Sequence, residues 1–177
     1  MTERAPDWKE DLRRVERRMR TELRAEAEEY ERLAALDLLR GRTLADVARE
    51  LVGRGDVVAV SAGARTFVGP VVHAAADLVC VRAAAEDVDV NLPATAAVRV
   101  VERSRSGGSP GAGPDSFKAR LFEHERGGDP VEVGWAGERL LGVVRAVAVD
   151  HVVVDDADGH RWHLPTARIG YLARPRG

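Results

Sequence analysis

The chain has 177 residues, 45% of them apolar, and its 27 basic and 29 acidic side chains leave a net charge of −2. That length suits one ordinary domain or two small ones, and the balanced charge excludes an overall basic field that draws in nucleic acid. No apolar run approaches the roughly 18 residues of a membrane span, the opening segment Met1 to Asp11 is polar and charged, and the lone Cys80 excludes an internal disulfide. A soluble, cytoplasmic protein is expected.

Asp7, with Glu10 three places on, reads as a capping-box start. Trp8, Leu12, Val15, Met19, Leu23, Ala27, Tyr30, Leu33 and Leu36 then recur every three or four residues, one face of a helix that Gly41 stops. About 33 helical residues span roughly 50 Å at 1.5 Å each. That exceeds one small barrel, so part of the stripe is expected to pack on a second subunit or elsewhere on the chain, as a packing helix or a coiled-coil oligomerisation element. The basic run Arg13 to Arg20 is interspersed with Glu and followed by an acidic run after Arg24, which reads as a solvated face rather than a phosphate patch. Thr43 caps a second, short helix, Leu44 to Val52, with Gly53 as its end. TLADVARELV could open a helix-turn-helix, but no recognition helix follows within a few residues.

Strands come next: Val57 to Ser61, Thr66 to Ala74, Leu78 to Arg82, Val88 to Leu92 and Val98 to Glu102. Gly69 sits inside the second, where a glycine marks a sharp bend or a close backbone approach. Ser104 to Pro114 is a Gly/Ser/Pro linker with no basis for packed structure. Asp115 then caps a short helix over Ser116 to Glu125. Val131 to Trp135, Leu140 to Val147 (bent at Gly142), His151 to Asp155, Arg161 to Leu164 and Ile169 to Ala173 are five further strands. Asp156 to Gly159 is a hairpin turn between two of them.

The second set of strands repeats the first. Gly55–Val81 and Gly128–Val154 align 73 positions apart without a gap, with ten identities in 27, including Gly69/Gly142 and Asp77/Asp150. Both copies continue to Leu-Pro, Leu92-Pro93 and Leu164-Pro165, after a one-residue slip. A fixed repeat sets the architecture. The expected organisation is a long helix over 1–41, one repeat over 42–103, the linker over 104–114 and the other repeat over 115–177. Each repeat lies near the lower size limit for folding alone, so each needs something to pack on.

Phe67-Val68-Gly69-Pro70-Val71 leading to Asp77-Leu78-Val79, and Leu140-Leu141-Gly142-Val143-Val144 leading to Asp150-His151-Val152, resemble the Sm signature. Ala97 to Val100 and Arg168 to Leu172 stand where its second element falls. The whole chain resembles a group of actinobacterial proteins with a leading helix and two Sm-like (LSm) repeats. The resemblance implies a mainly β chain: two SH3-like or Sm-like five-stranded small barrels preceded by a long helix. It also implies RNA association and pairing of barrel edges between subunits. At the positions where RNA-binding relatives hold a base, however, the chain carries Leu78 or His151 and Val81 or Val154, and the Arg-Gly of the second element survives only as Arg168-Ile169-Gly170. The fold carries over; the uridine pocket does not.

Asp77 and Asp150 are expected to accept backbone N–H groups in tight turns, a structural role. A two-carboxylate hydrolase needs both in one cleft, and the repeat separates them. His160 and His163, three apart, face opposite sides of a strand, so joint metal binding is not expected. With no CxxC, GxSxG or phosphate loop, no enzyme, metal or cofactor is expected. His151, Arg161, Trp162, His163, Arg168 and Tyr171 gather cations and π-faces in the second repeat, with Arg174 and Arg176 beyond, and are the candidates for binding single-stranded RNA. Trp162 equally suits a core position, and Trp8 and Trp135 an interface or core. The leading expectation is a non-catalytic RNA-associated protein; the alternative is a protein–protein or oligomeric scaffold that binds no nucleic acid and self-associates through barrel edges or the first helix.

Overall fold

The computed structural model of the chain describes residues 8–94 and 97–175. They fall into a first unit ending at Arg42 and a second running on from Thr43. The first unit is α1, Trp8–Arg40, as long as the apolar stripe requires. The Asp7 cap, the side chain of Trp8, and Arg176 lie outside the described residues. From Leu12 to Arg40 every side chain is exposed, and Arg18–Glu22, Arg24–Glu28, Arg32–Glu29 and Arg40–Asp37 pair along the helix surface. No described helix is long and apolar enough to cross a membrane.

The second unit is mainly β. It opens with α2, Leu44–Arg54, held by a capping box in which the Thr43 hydroxyl accepts the Asp46 N–H and the Asp46 carboxylate accepts the Thr43 N–H. The helix does not end at Gly53, as its sequence suggests. It runs on to Gly55, whose φ of 70° is the left-handed conformation that a helix end requires, and whose N–H bonds the Leu51 carbonyl. The strands then follow: β1 (Val57–Ala62), β2 (Arg65–Ala74), β3 (Leu78–Arg82), β4 (Glu86–Asn91) and β5 (Ala97–Glu102). After α3 (Phe117–Gly127) come β6 (Pro130–Trp135), β7 (Glu138–Val147), β8 (His151–Asp156), β9 (Arg161–Pro165) and β10 (Ile169–Pro175). The cap of α3 is Ser116, one residue later than its sequence suggests; its hydroxyl accepts the Ala119 N–H.

The chain is mainly β behind a long helix, as expected, but two separate five-stranded barrels are not seen. Each repeat supplies five strands, but all ten run on as one open antiparallel sheet in the order β5-β1-β2-β3-β4-β10-β6-β7-β8-β9. The seam between repeats is β4 against β10, with Tyr171 opposite Val90, Leu172 opposite Asp89 and Ala173 opposite Val88. It exists because β4 and β10 each carry backbone donors and acceptors that their own repeat leaves unpaired.

The seam also joins the cores. On β3, Val79 and Val81 enter the core under α2, while Leu78 and Cys80 enter the core under α3. On β10, Tyr171 and Ala173 serve the first core, and Ile169 and Leu172 the second. Side chains alternate between sheet faces, so a strand buried on both faces reads as the continuous apolar run Leu78 to Val81. Phe117 and Leu121 of α3, both fully buried, close the second core. Two copies that are each small for a core thus share strands rather than standing apart.

Gly69 and Gly142 mark close approaches, as expected. A Cβ at Gly69 meets the Arg82 carbonyl oxygen at 2.0 Å, and one at Gly142 meets the Asp155 carbonyl oxygen at 2.5 Å. The linker is better anchored than its composition suggests. The Ser104 N–H bonds Asp56, the Gly108 N–H bonds the Gly53 carbonyl, the Gly111 N–H bonds the Val72 carbonyl, and the Pro114 carbonyl lies 2.9 Å from His73 Nε2.

Candidate functional site

The aromatic and cationic candidates of the second repeat lie on β8, β9, β10 and the turn before it, and the fold divides them. Arg161 makes two bonds to Asp155, Nε to Oδ1 at 2.9 Å and Nη2 to Oδ2 at 3.2 Å, and Arg145 adds a third. The Trp162 indole N–H donates to Asp156 Oδ2 at 2.9 Å, while the ring stays 41% exposed and sits 6.1 Å from half-buried Trp135. His151 Nδ1 lies 2.8 Å from an oxygen of Asp150, and its ring lies 5.3 Å from His163. Arg168 is exposed on the turn Thr166–Arg168. Tyr171 does not join this group. It is buried against Phe67, ring centroids 4.8 Å apart, and its hydroxyl donates to Glu132 at 2.8 Å. The sequence groups Tyr171 with the surface candidates; Phe67 and Glu132 from two other strands bury it instead.

The carboxylates that hold this patch are firmly ionised. The Arg161 bonds keep Asp155 below the usual carboxylate range, the Trp162 bond does the same for Asp156, and His151 for Asp150. Asp156, Asp158 and His160 converge in the β8–β9 hairpin. Asp156 Oδ1 there accepts the Asp158 and His160 N–H groups, so the cluster organises the turn.

Asp77 and Asp150 serve different ends. The Asp77 carboxylate accepts the Phe117 N–H, 2.8 Å away, and so caps the first turn of α3. That bond links the repeats, where a local turn bond was expected. The exposed Asp150 side chain binds His151 instead. What the pair shares is main chain: the Asp77 carbonyl accepts the Leu92 N–H and the Asp150 carbonyl the Thr166 N–H.

Two polar clusters flank the seam, and sequence reasoning missed both. In one, Arg65 pairs with Glu86 and Glu132 and lies over the rings of Phe67 and Tyr171. Beside it is a hollow of about 350 Å³ lined by Arg65, Trp135, Arg139 and Tyr171. Burial and the Glu132 bond push the Tyr171 hydroxyl up to about 12. In the other, buried Asp89 on β4 accepts the Cys80 thiol at 2.9 Å and pairs with Arg120 of α3 at 3.1 Å. His124 and Arg174 stand 3.8 Å away. Burial, then the Asp89 charge, pushes the Cys80 thiol up to about 12, so it is a protonated donor. Asp89 is one of three acids on β4, with Glu86 and Asp87, and only its place between β3 and α3 tells what it meets.

The sheet ends on two open edges. Among the described residues, β5 pairs only with β1 and β9 only with β8. The repeat relates these edges to the seam: past the slip, with Leu92 matching Leu164, Val90 corresponds to Trp162, Leu172 to Val100 and Ala173 to Val101. Val90, Leu172 and Ala173 are at most 1% exposed within the seam, whereas Trp162, Val100 and Val101 are 41%, 41% and 52% exposed. No protein-family model matches the chain, and no curated protein is similar to it.

Proposed function

We propose that the chain is a non-catalytic assembly module of tandem Sm-like type, whose copies join β5 of one to β9 of the next. The carrying observation is the β4–β10 seam: the same two repeat positions that pair inside the chain are open at its ends. Apolar side chains stand exposed at the positions that the seam buries. Exposed edges with unpaired N–H and C=O groups template further pairing. A head-to-tail contact of this kind builds a ring if its rotation closes and a filament if it does not.

RNA binding is the weaker reading. Arg161 and Arg145 already hold Asp155, His151 holds Asp150, and Tyr171 is inside the core, so few cations and stacking faces are left for a strand of phosphates.

Light scattering during gel filtration tests the proposal. Wild type is expected as multiples of a chain, and Val100→Lys/Val101→Lys, on exposed sites of one edge, is expected to lose the β5–β9 species. An unchanged mass distribution in that variant would sink the edge reading. Labelled single-stranded RNA at two salt concentrations decides the other: salt-sensitive binding abolished by Arg161→Ala/Trp162→Ala/Arg168→Ala would restore it.

A further inference from the structure

α1 carries a second interaction surface, apart from the sheet edges. Leu12, Val15, Met19, Leu23, Tyr30, Leu33 and Leu36 lie along one helical stripe and are 40–75% exposed. Seven large apolar side chains on one stripe are more than scattered surface hydrophobes, and such a patch marks an interaction site.

The charges around the stripe say what covers it. Leu12–Arg24 holds six arginines and two glutamates, net +4; Ala25–Arg40 holds five acids and two arginines, net −3. Two α1 helices laid parallel set +4 on +4 and −3 on −3. Laid antiparallel, they set each half on its opposite. Like charges juxtaposed across an interface are penalised, and complementary ones fix orientation. Side by side, antiparallel helices also set each dipole end beside its opposite.

The apolar positions agree with the same geometry. With the crossing near Arg24, Leu12 falls opposite Leu36, Val15 opposite Leu33, and Met19 opposite Tyr30. We propose that α1 is an antiparallel dimerisation helix whose partner is α1 of a second copy of this chain. The fit to a second copy comes from the helix itself, whose two halves are each other's complement.

Disulfide trapping in the full-length protein tests this. The experiment is done on the Val100→Lys/Val101→Lys background, so that contacts through β5 do not contribute. Cys80 is buried and does not compete. Leu12→Cys chains mixed with Leu36→Cys chains under mild oxidation are expected to give the mixed disulfide dimer, with neither chain cross-linking to itself. Met19→Glu/Tyr30→Glu is expected to abolish the trapped dimer and to reduce the species on that background to monomer. Self-cross-linking of each cysteine variant without the mixed product would mean parallel pairing and overturn the proposal. No cross-linking in any mixture, or a dimer indifferent to Met19→Glu/Tyr30→Glu, would overturn it as well and assign the stripe another cover.

Discussion

Single atoms decide the fate of the bends in the sheet. A methyl group at Gly69 has no room 2.0 Å from a carbonyl oxygen of β3. Gly69→Ala is therefore expected to destabilise the fold by about 2–3 kcal/mol, as overpacking does, measured by urea denaturation. Asp89 is the most consequential charge. Burial opposes its ionisation, but the nearby His124, Arg120, the Cys80 thiol and Arg174 outweigh that and hold its pKa below the ordinary value. A depressed folded pKa contributes stability that is full above the unfolded value, near 4, and is lost as pH falls through the folded one. The wild type should thus lose stability in acid below about pH 4, and Asp89→Asn should remove that component. The same variant should cost about 3–5 kcal/mol near neutrality, because Arg120 loses its buried partner and keeps only Glu123, one turn along α3. Equal stability of the two proteins at pH 7 would show that the Asp89 cluster is not what holds α3 to β4.

The ten strands and three α-helices of the described residues are legible in the sequence, because alternation, helical spacing and the 73-residue offset point the same way. Element ends were less so: Gly53 and Gly55 both offer a stop for α2, and only the backbone conformation selects Gly55. The capping role of Asp77 was illegible because its partner, Phe117, is 40 residues away and belongs to the other repeat. Tyr171 was placed in the surface patch for the same reason: Phe67 and Glu132 come to it from two different strands. α3 is the element on which the second core most depends. Leu121→Ala, at a site with no exposure, should cost about 2–5 kcal/mol, measured by thermal or denaturant unfolding. The damage should reach β4 through Arg120 and Asp89, which hydrogen exchange of the β4 amides would register.

For the whole molecule, the two contacts proposed above, through the open edges and through the α1 stripe, would have different symmetry. An edge contact is head-to-tail, whereas an antiparallel helix pair is two-fold. Disabling one should leave the species built by the other: dimers when β5 is charged, β5–β9 assemblies when α1 is, and monomers when both are. Sedimentation velocity of the four proteins separates these outcomes. Salt should weaken the helix pair more than the edges, since its orientation rests on exposed charges that a Debye length of roughly 8 Å screens at physiological salt.

The β4–β10 seam has one more consequence. Because Ser104–Pro114 ties its two halves together, closing that seam is a first-order event, at an effective concentration on the order of millimolar, and it is indifferent to how much protein a cell makes. The proposed β5–β9 joint would be second-order and would dissolve on dilution. A sheet assembly built through β5–β9 would therefore alternate permanent and breakable joints, and it should come apart at every second seam, into whole chains.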